Sequence, residues 1–156
     1  MNAKDIFKLM KDKEIEFVDF RFTDPKGKLQ HLTMDATIVD DEMLEEGTFF
    51  DGSSISGWKA INESDMILKP DLERTIVDPF NSHNTLNLFC DILDAVKKEP
   101  YERDPRSTAK KAEAYLKKSG IGDRAYFGPE PEFFTFDDVR FENKMNTSNF
   151  FIDSSE

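Results

Sequence analysis

The pattern of apolar and polar positions changes period early in the chain. Over residues 3–13, apolar side chains recur at helical spacing, which predicts a short amphipathic helix. From residue 18 the period becomes two, and the turn sequence Asp24-Pro25-Lys26-Gly27 separates residues 18–22 from a return run at 28–34. The sequence therefore predicts a β-hairpin directly after the first helix.

The next sixty residues predict a second short helix and three short strands. An Asp cap, an acidic first turn and a terminating Gly favour a helix over residues 40–47, and a polar loop is expected at 50–62. The β-like runs that follow are bounded by Pro, Asp or Asn and cover 65–68, 75–77 and 85–93. Together these elements predict a compact α+β unit with a mixed sheet.

A polar stretch that contains Pro100 separates this unit from a second one. Asp104 as N-cap and Pro105 at the first helical position predict a helix that runs to about Ser119. We therefore predict an amino-terminal domain at 1–98, a linker at 99–104 and a further domain that begins at 105 and is incomplete at 156.

The second part is short and strongly apolar. Residues 125–136 predict a strand with apolar side chains on both faces near its end, as expected of a central strand in a sheet. Further strand pieces are predicted at 139–141 and 149–152. One helix cannot cover so apolar a strand, so we expect the 156 residues to be a fragment of a longer protein or a truncated product.

Composition narrows the class of protein. The 156 residues carry a formal net charge of −11 without a basic stripe, which argues against a nucleic-acid or anionic-membrane partner. No run of 18 apolar residues and no signal-peptide pattern occurs, so we expect a cytoplasmic protein. Cys90 is the single cysteine, which excludes an internal disulfide.

Two acidic residues stand at the start of the predicted apolar strand. In a strand, Glu130 and Glu132 would face the same side about 6.6 Å apart, where their charges repel unless a cation or a shared proton intervenes. Oxygen ligands suit Mg²⁺ or Mn²⁺. The simpler alternative is a solvated strand edge with two acids.

A second candidate is the loop that begins Phe50-Asp51-Gly52-Ser53-Ser54 and ends at Trp58. Its small residues allow sharp bends that present a carboxylate and hydroxyls, and an exposed Trp58 would offer area to a partner. Such a loop could bind an anion, an amine or a neighbouring chain. The simpler alternative is an Asp-Gly turn with capping serines, and the residues alone do not name a reaction.

At these same segments the chain resembles the glutamine synthetase family of bacterial type. The similar segments are Phe50-Asp51-Gly52-Ser53-Ser54, Glu63-Ser64-Asp65 with Leu68, Asp78-Pro79-Phe80, Asp104-Pro105-Arg106 and Gly128-Pro129-Glu130-Pro131-Glu132-Phe133-Phe134. The resemblance implies an α+β fold: a β-grasp (ubiquitin-like) amino-terminal domain, followed by the truncated start of the family's catalytic α+β domain.

The resemblance also implies a reaction. Members join ammonia to glutamate: ATP phosphorylates the side-chain carboxylate, and ammonia displaces phosphate from γ-glutamyl phosphate to give glutamine. By motif position, Glu132 resembles a ligand of the metal near glutamate and Glu130 a ligand of the metal near the nucleotide, with Mg²⁺ or Mn²⁺ as the ion. Asp51 resembles the carboxylate that binds ammonium and helps to deprotonate it.

In the family, an Asp in this loop completes the catalytic domain of a neighbouring subunit in a homo-oligomeric ring. Ser53 and Ser54 are then expected in a substrate loop, and Trp58 at the subunit interface. The other active-site residues would lie beyond Glu156, so this chain alone is expected to be inactive. Two alternatives stay open: a related glutamate-amine ligase, and a non-catalytic module that assembles with full-length synthetase.

Overall fold

The structure is a computed structural model that describes residues 1–58 and 64–155. The chain divides into two compact units, Met1–Arg124 and Ala125–Glu156. The helices are α1 Ala3–Asp12, α2 Asp41–Glu45 and α3 Pro105–Ser119, and short 3-10 turns cover Ala36–Ile38 and Gly52–Ser54. The strands are β1 Phe17–Thr23, β2 Leu29–Asp35, β3 Thr48–Asp51, β4 Asp65–Val77, β5 Thr85–Asp94, β6 Asp138–Lys144 and β7 Thr147–Asp153.

The first unit is built on a five-stranded mixed sheet with the order β2-β1-β5-β4-β3. Among the described strand pairs of this sheet, β1 and β5 run parallel and the others antiparallel. The ladder between β4 and β5 is interrupted between Pro70 and Thr75, where the register shifts. This arrangement confirms the predicted α+β class with a mixed sheet.

The core lies on the sheet face that α1 covers. A capping box between Asn2 and Asp5 starts α1, which buries Ile6 and Met10. The buried side chains opposite come from alternate positions of the central strands: Val18, Phe20, Phe22, Leu86, Leu88, Cys90 and Ile92. Burial of this apolar set fixes which face of the sheet points inward.

The predicted first helix and hairpin are confirmed. At the turn between β1 and β2, Gly27 has φ +87° and its N–H donates to the Asp24 carbonyl at 3.0 Å, a conformation that favours glycine. Two details differ from the expectation. The predicted runs 65–68 and 75–77 belong to one long strand, β4, and the start of the predicted loop 50–62 is the end of strand β3.

The predicted linker and the helix after it are attached to the first unit. Helix α3 has the predicted bounds, and Tyr101 N–H donates to the Ile92 carbonyl at 2.8 Å. Arg106 pairs with Asp91 at 3.0 Å and with Asp71 at 2.6 Å. The division into compact units therefore follows Arg124, about twenty residues after the predicted linker.

The second unit is a β-hairpin of β6 and β7 preceded by irregular chain. The predicted strand at 125–136 is wrong, because these residues have no regular secondary structure. Pro129 and Pro131 cannot donate ladder hydrogen bonds, and among the described residues no strand pairs with this segment. Phe133 and Phe134 are accordingly 83% and 87% exposed rather than buried.

None of the helices in the described residues has the length and apolar character needed to cross a membrane.

Candidate functional site

Asp51 is the last residue of strand β3 and lies opposite Asp65 of β4. The 3-10 turn Gly52–Ser54 follows directly, with Asp51 as its N-cap. The Asp51 Oδ1 atom accepts from the Ser53 backbone N–H at 2.8 Å and from the Ser53 hydroxyl at 2.6 Å. These two bonds fix an exposed carboxylate at the point where the chain leaves the sheet.

The same bonds set the charge of Asp51. The Ser53 hydroxyl, together with the Ser53 backbone N–H and the Ser64 side chain, lowers the pKa of the Asp51 carboxyl below its ordinary value. Asp51 is therefore a carboxylate at neutral pH. Such a group attracts a cation strongly but is a weak general base on its own.

Gly52 holds this turn close to the core. A Cβ atom at Gly52 would lie 2.3 Å from the Met66 Sδ atom and 2.7 Å from Met66 Cγ, and Met66 is fully buried. The Gly52 N–H also donates to the Ser64 carbonyl at 2.7 Å. A Cβ atom here would have to displace the Met66 side chain, so glycine at position 52 allows this turn to lie close to strand β4.

The two serines of the predicted substrate loop differ in their surroundings. Ser53 is half-buried and caps the turn through Asp51, whereas Ser54 is exposed. The simpler alternative from the sequence, an Asp-Gly turn with capping serines, thus describes Ser53 correctly. Capping leaves the Asp51 carboxylate exposed, so it is compatible with binding a ligand there.

Trp58 is not exposed, so that part of the expectation is wrong. The Trp58 side chain lies among Phe22, Phe50 and Tyr101, with ring centroids 5.5, 6.0 and 5.8 Å from its own, and the residue is only 5% exposed. Local sequence could not predict this, because two of the three enclosing rings are distant along the chain. A role for Trp58 at a subunit interface stays a prediction.

Glu130 and Glu132 lie in the irregular segment of the second unit, and both are exposed. Without a strand there, the geometric argument that they face the same side does not apply. Their carboxylate oxygens have the donor chemistry that Mg²⁺ or Mn²⁺ prefers. Within the described residues, no group of three or more His, Cys, Asp or Glu side chains is placed so that it could hold a metal ion.

The two predicted site regions, Asp51 with its serines and the pair Glu130 and Glu132, fall in different compact units. Glu63, quoted in the amino-terminal motif, lies outside the described residues. Sequence reasoning missed Tyr101 and Arg103, whose side chains donate to backbone carbonyls at the far end of the Asp51 loop. No local pattern signals such contacts, because they join positions more than forty residues apart.

Family models match both parts of the chain. The "Glutamine synthetase, beta-Grasp domain" model matches residues 14–95, and the "Glutamine synthetase, catalytic domain" model matches residues 102–156. The fold is thus a β-grasp unit followed by the start of a catalytic α+β domain, as predicted. The chain belongs to the glutamine synthetase family.

Curated relatives agree with this assignment. The chain is 59% identical over 154 residues to glutamine synthetase of Rhizobium meliloti, covering 99% of the chain and 33% of the relative. It is 52% identical over 156 residues to glutamine synthetase of Escherichia coli, covering 100% of the chain and again 33% of the relative. The chain therefore spans about a third of the length of the curated relatives that it matches.

Solved structures support the fold. A cryo-EM structure of Plasmodium falciparum glutamine synthetase matches with a TM-score of 0.72 and 24% identity, over 100% of this chain and 30% of that one. A structure described as a GmaS/ADP complex matches with a TM-score of 0.64 and 23% identity, over 72% of this chain and 25% of that one.

Proposed function

We propose that this chain is the amino-terminal part of a glutamine synthetase, a glutamate-ammonia ligase. The reaction joins ammonia to glutamate through γ-glutamyl phosphate and yields glutamine, ADP and phosphate. The observation that carries the proposal is the match of both family models in order, with 59% identity to a glutamine synthetase over nearly the whole chain. Glutamate, ammonium and ATP are the proposed substrates.

Asp51 is the proposed binding residue for ammonium. Its carboxylate is exposed, its lowered pKa keeps it charged, and the Ser53 bonds hold it in one orientation. A fixed anion attracts a small cation without the cost of ordering a mobile side chain. With Ser53 and Ser54 it forms the proposed substrate loop, and helping ammonium to lose a proton would require a further base nearby.

Glu130 and Glu132 are the proposed metal ligands, for Mg²⁺ or Mn²⁺. Carboxylate oxygens fit these ions, and the remaining ligands would lie beyond Glu156 in the longer protein. When bound, the metal would neutralise charge on the transferring phosphoryl group.

The proposed domain boundaries remain 1–98 for the β-grasp domain, 99–104 for the linker and 105–156 for the beginning of the catalytic domain. The ranges that the two family models match, 14–95 and 102–156, support a division near residues 96–101. Helix α3 would then belong to the catalytic domain while its first turn stays anchored to the β-grasp domain through Arg106.

We further propose a cytoplasmic homo-oligomeric ring in which the Asp51 loop serves the catalytic domain of a neighbouring subunit, with Trp58 near that contact. A shared site accounts for an exposed catalytic carboxylate at the end of a sheet. Because the relatives are about three times as long, the 156 residues alone are expected to be inactive.

The first experiment measures the intact mass of the protein expressed from its own gene, together with ATP-dependent glutamine formation. A mass several times 18.0 kDa and glutamine formation are expected. A mass near 18.0 kDa without glutamine formation would contradict the ligase proposal for this protein. Mixing that short chain with active synthetase would then test the non-catalytic alternative, which predicts a loss of activity.

In the active protein, Asp51→Asn tests the site. Removing a charged binding group is expected to lower kcat/KM for ammonium on the order of 10²-fold or more. Asp35→Asn is a matched control, because Asp35 caps the 3-10 turn Ala36–Ile38 with equivalent bonds from the Thr37 N–H at 2.8 Å and hydroxyl at 2.6 Å. Equal activity of the two variants would contradict the role of Asp51.

A further inference from the structure

Residues 52–58, the described part of the segment that follows Asp51, form a series of turns without strand pairing. Ile55 N–H donates to the Gly52 carbonyl at 3.2 Å, and Trp58 N–H donates to the Ile55 carbonyl at 3.2 Å. The Gly52 N–H is fixed on the Ser64 carbonyl, so the near end of residues 52–58 is anchored beside strand β4. Gly57 and Trp58, at the other end of residues 52–58, make contacts with a different part of the chain.

Those contacts come from residues 99–104. The Tyr101 hydroxyl donates to the Trp58 carbonyl at 3.0 Å, in a buried position. The Arg103 guanidinium donates to the Gly57 carbonyl at 2.9 Å and to the Trp58 carbonyl at 3.4 Å. The Tyr101 ring also packs edge-on against the Trp58 ring at 74°. Two side chains thus bind two successive carbonyls at the end of the loop.

Residues 99–104 are themselves held firmly. Tyr101 N–H donates to the Ile92 carbonyl, and Asp94 N–H donates to the Glu99 carbonyl at 2.9 Å. Asp104 is fully buried and accepts from the Ser107 hydroxyl at 2.8 Å and from the Ser107 N–H at 3.0 Å. This segment is therefore attached both to the end of strand β5 and to the first turn of α3.

We propose that Tyr101 and Arg103 are positioning residues that fix the loop carrying Ser53 and Ser54. We call these two side chains the Tyr101–Arg103 brace. Through it, residues 99–104 set the position of residues 52–58 relative to the sheet. The functional meaning of the loop rests on the proposed function, whereas the brace itself rests on the contacts above.

Amide hydrogen exchange measured by NMR on the 156-residue chain tests the brace. Tyr101→Phe keeps the ring and removes the hydroxyl, and Arg103→Gln removes the charge. Each is expected to speed exchange of the Ile55 and Trp58 amides roughly five-fold, the effect of losing one ordinary hydrogen bond on a local opening. The matched controls Tyr115→Phe and Arg74→Gln change exposed positions, on α3 and β4 respectively, and are expected to have no effect.

The amide of the fully buried Leu88 in strand β5 reports global opening. Faster exchange at Ile55 and Trp58 with unchanged exchange at Leu88 supports the brace. An equal increase at all three amides would mean that Tyr101 and Arg103 only stabilise the fold. Unchanged exchange at Ile55 and Trp58 would mean that the two side chains do not hold the loop. Either result overturns the proposal.

Trp58 provides a second measurement, because it is the only tryptophan. A released loop end exposes the indole, so both brace variants are expected to shift its emission to longer wavelength and to increase quenching by acrylamide. Unchanged emission would argue against the brace. Activity of Asp51→Asn in the longer protein tests the proposed function separately, so either conclusion can fail alone.

Discussion

Asp35 and Asp51 make the same local structure. Each ends a strand, caps a short 3-10 turn and accepts from the N–H and hydroxyl of the residue two positions later. Local geometry therefore does not distinguish Asp51, the proposed binding carboxylate, from Asp35. The two turns differ in the residue that follows the Asp: it is Ala36 after Asp35 and Gly52 after Asp51. Gly52 packs on the buried Met66. At the residue scale, the candidate site is marked by this close approach.

Substitution of Ser53 is expected to change the pKa of Asp51. Ser53→Ala removes the hydroxyl bond, the largest cause of the lowered pKa, and keeps the backbone bond. The pKa of the Asp51 carboxyl is expected to rise toward its ordinary value, measured by NMR titration of its side-chain carbon. Ser56→Ala, an exposed position in the same loop, is the control. An unchanged Asp51 pKa in Ser53→Ala would contradict this assignment.

Substitution of Gly52 is expected to destabilise the first unit. The Cβ of Gly52→Ala would overlap the Met66 side chain, and overpacking of a filled core costs about 1–3 kcal/mol. The control is Gly128→Ala, because nothing lies within 4 Å of a Cβ there. Denaturant unfolding measures both. If Gly52→Ala were as stable as Gly128→Ala, the tight contact with Met66 would not exist.

At the scale of elements, helix α3 is fixed mainly at its first turn. Asp104, Arg106 and Ser107 make bonds to strands or to the cap, whereas most later side chains of the helix are exposed. Asp91 additionally pairs with Lys110. The helix is therefore attached to the sheet at one end.

Removal of the buried cap is expected to loosen this attachment. Asp104→Ala removes the acceptor for the Arg106 and Ser107 N–H groups, and loss of an N-cap costs about 0.5–2 kcal/mol, with the upper end expected for a buried cap. The control is Asp40→Ala, which removes the exposed cap of α2. Urea unfolding should give the larger loss for Asp104→Ala, and the opposite order would argue against the anchoring role.

The sequence predicts correctly the helices and strands whose bounds are set by residues close to them in sequence. Helix α3 has an Asp cap, a Pro at its first position and a terminating Gly120 with φ +71°, and its bounds follow from these residues. The predicted strand at 125–136 fails because strand formation requires a paired neighbour, which apolar composition does not supply. Burial of Trp58 was missed for the same reason: Tyr101, which packs against it, is distant in sequence.

The candidate site likewise has a part that the sequence predicts and a part that depends on residues distant in sequence. The motif residues identify the Asp51 turn, and its capping bonds are local enough to be expected from the Asp-Gly-Ser pattern. The brace could not be predicted, because Tyr101 and Arg103 reach the loop only after the sheet has formed. The proposed metal binding by Glu130 and Glu132 would need further ligands, which no local pattern provides.

At the scale of the whole molecule, acidic side chains stabilise the first unit at neutral pH. Burial alone would raise the pKa values of Asp19 and Asp91, but hydrogen bonds outweigh it, and both pKa values are lowered. Asp19 accepts from Thr33, Arg21 and His31, and Asp91 accepts from Arg106 and Lys110. These bonds tie β1 to β2 and β5 to α3, so the charge state of the two carboxylates affects how the elements hold together.

The unfolding free energy should therefore fall in acid. A carboxylate whose pKa is lower in the folded state contributes stability that is fully present above its unfolded pKa of about 4 and is lost as the pH falls through the folded pKa. Each such group contributes a slope of at most about 1.4 kcal/mol per pH unit. Asp91→Asn should reduce the slope below about pH 4 relative to the unsubstituted chain. An unchanged slope in urea unfolding at a series of pH values would mean that the bonds from Arg106 and Lys110 do not lower the pKa of Asp91.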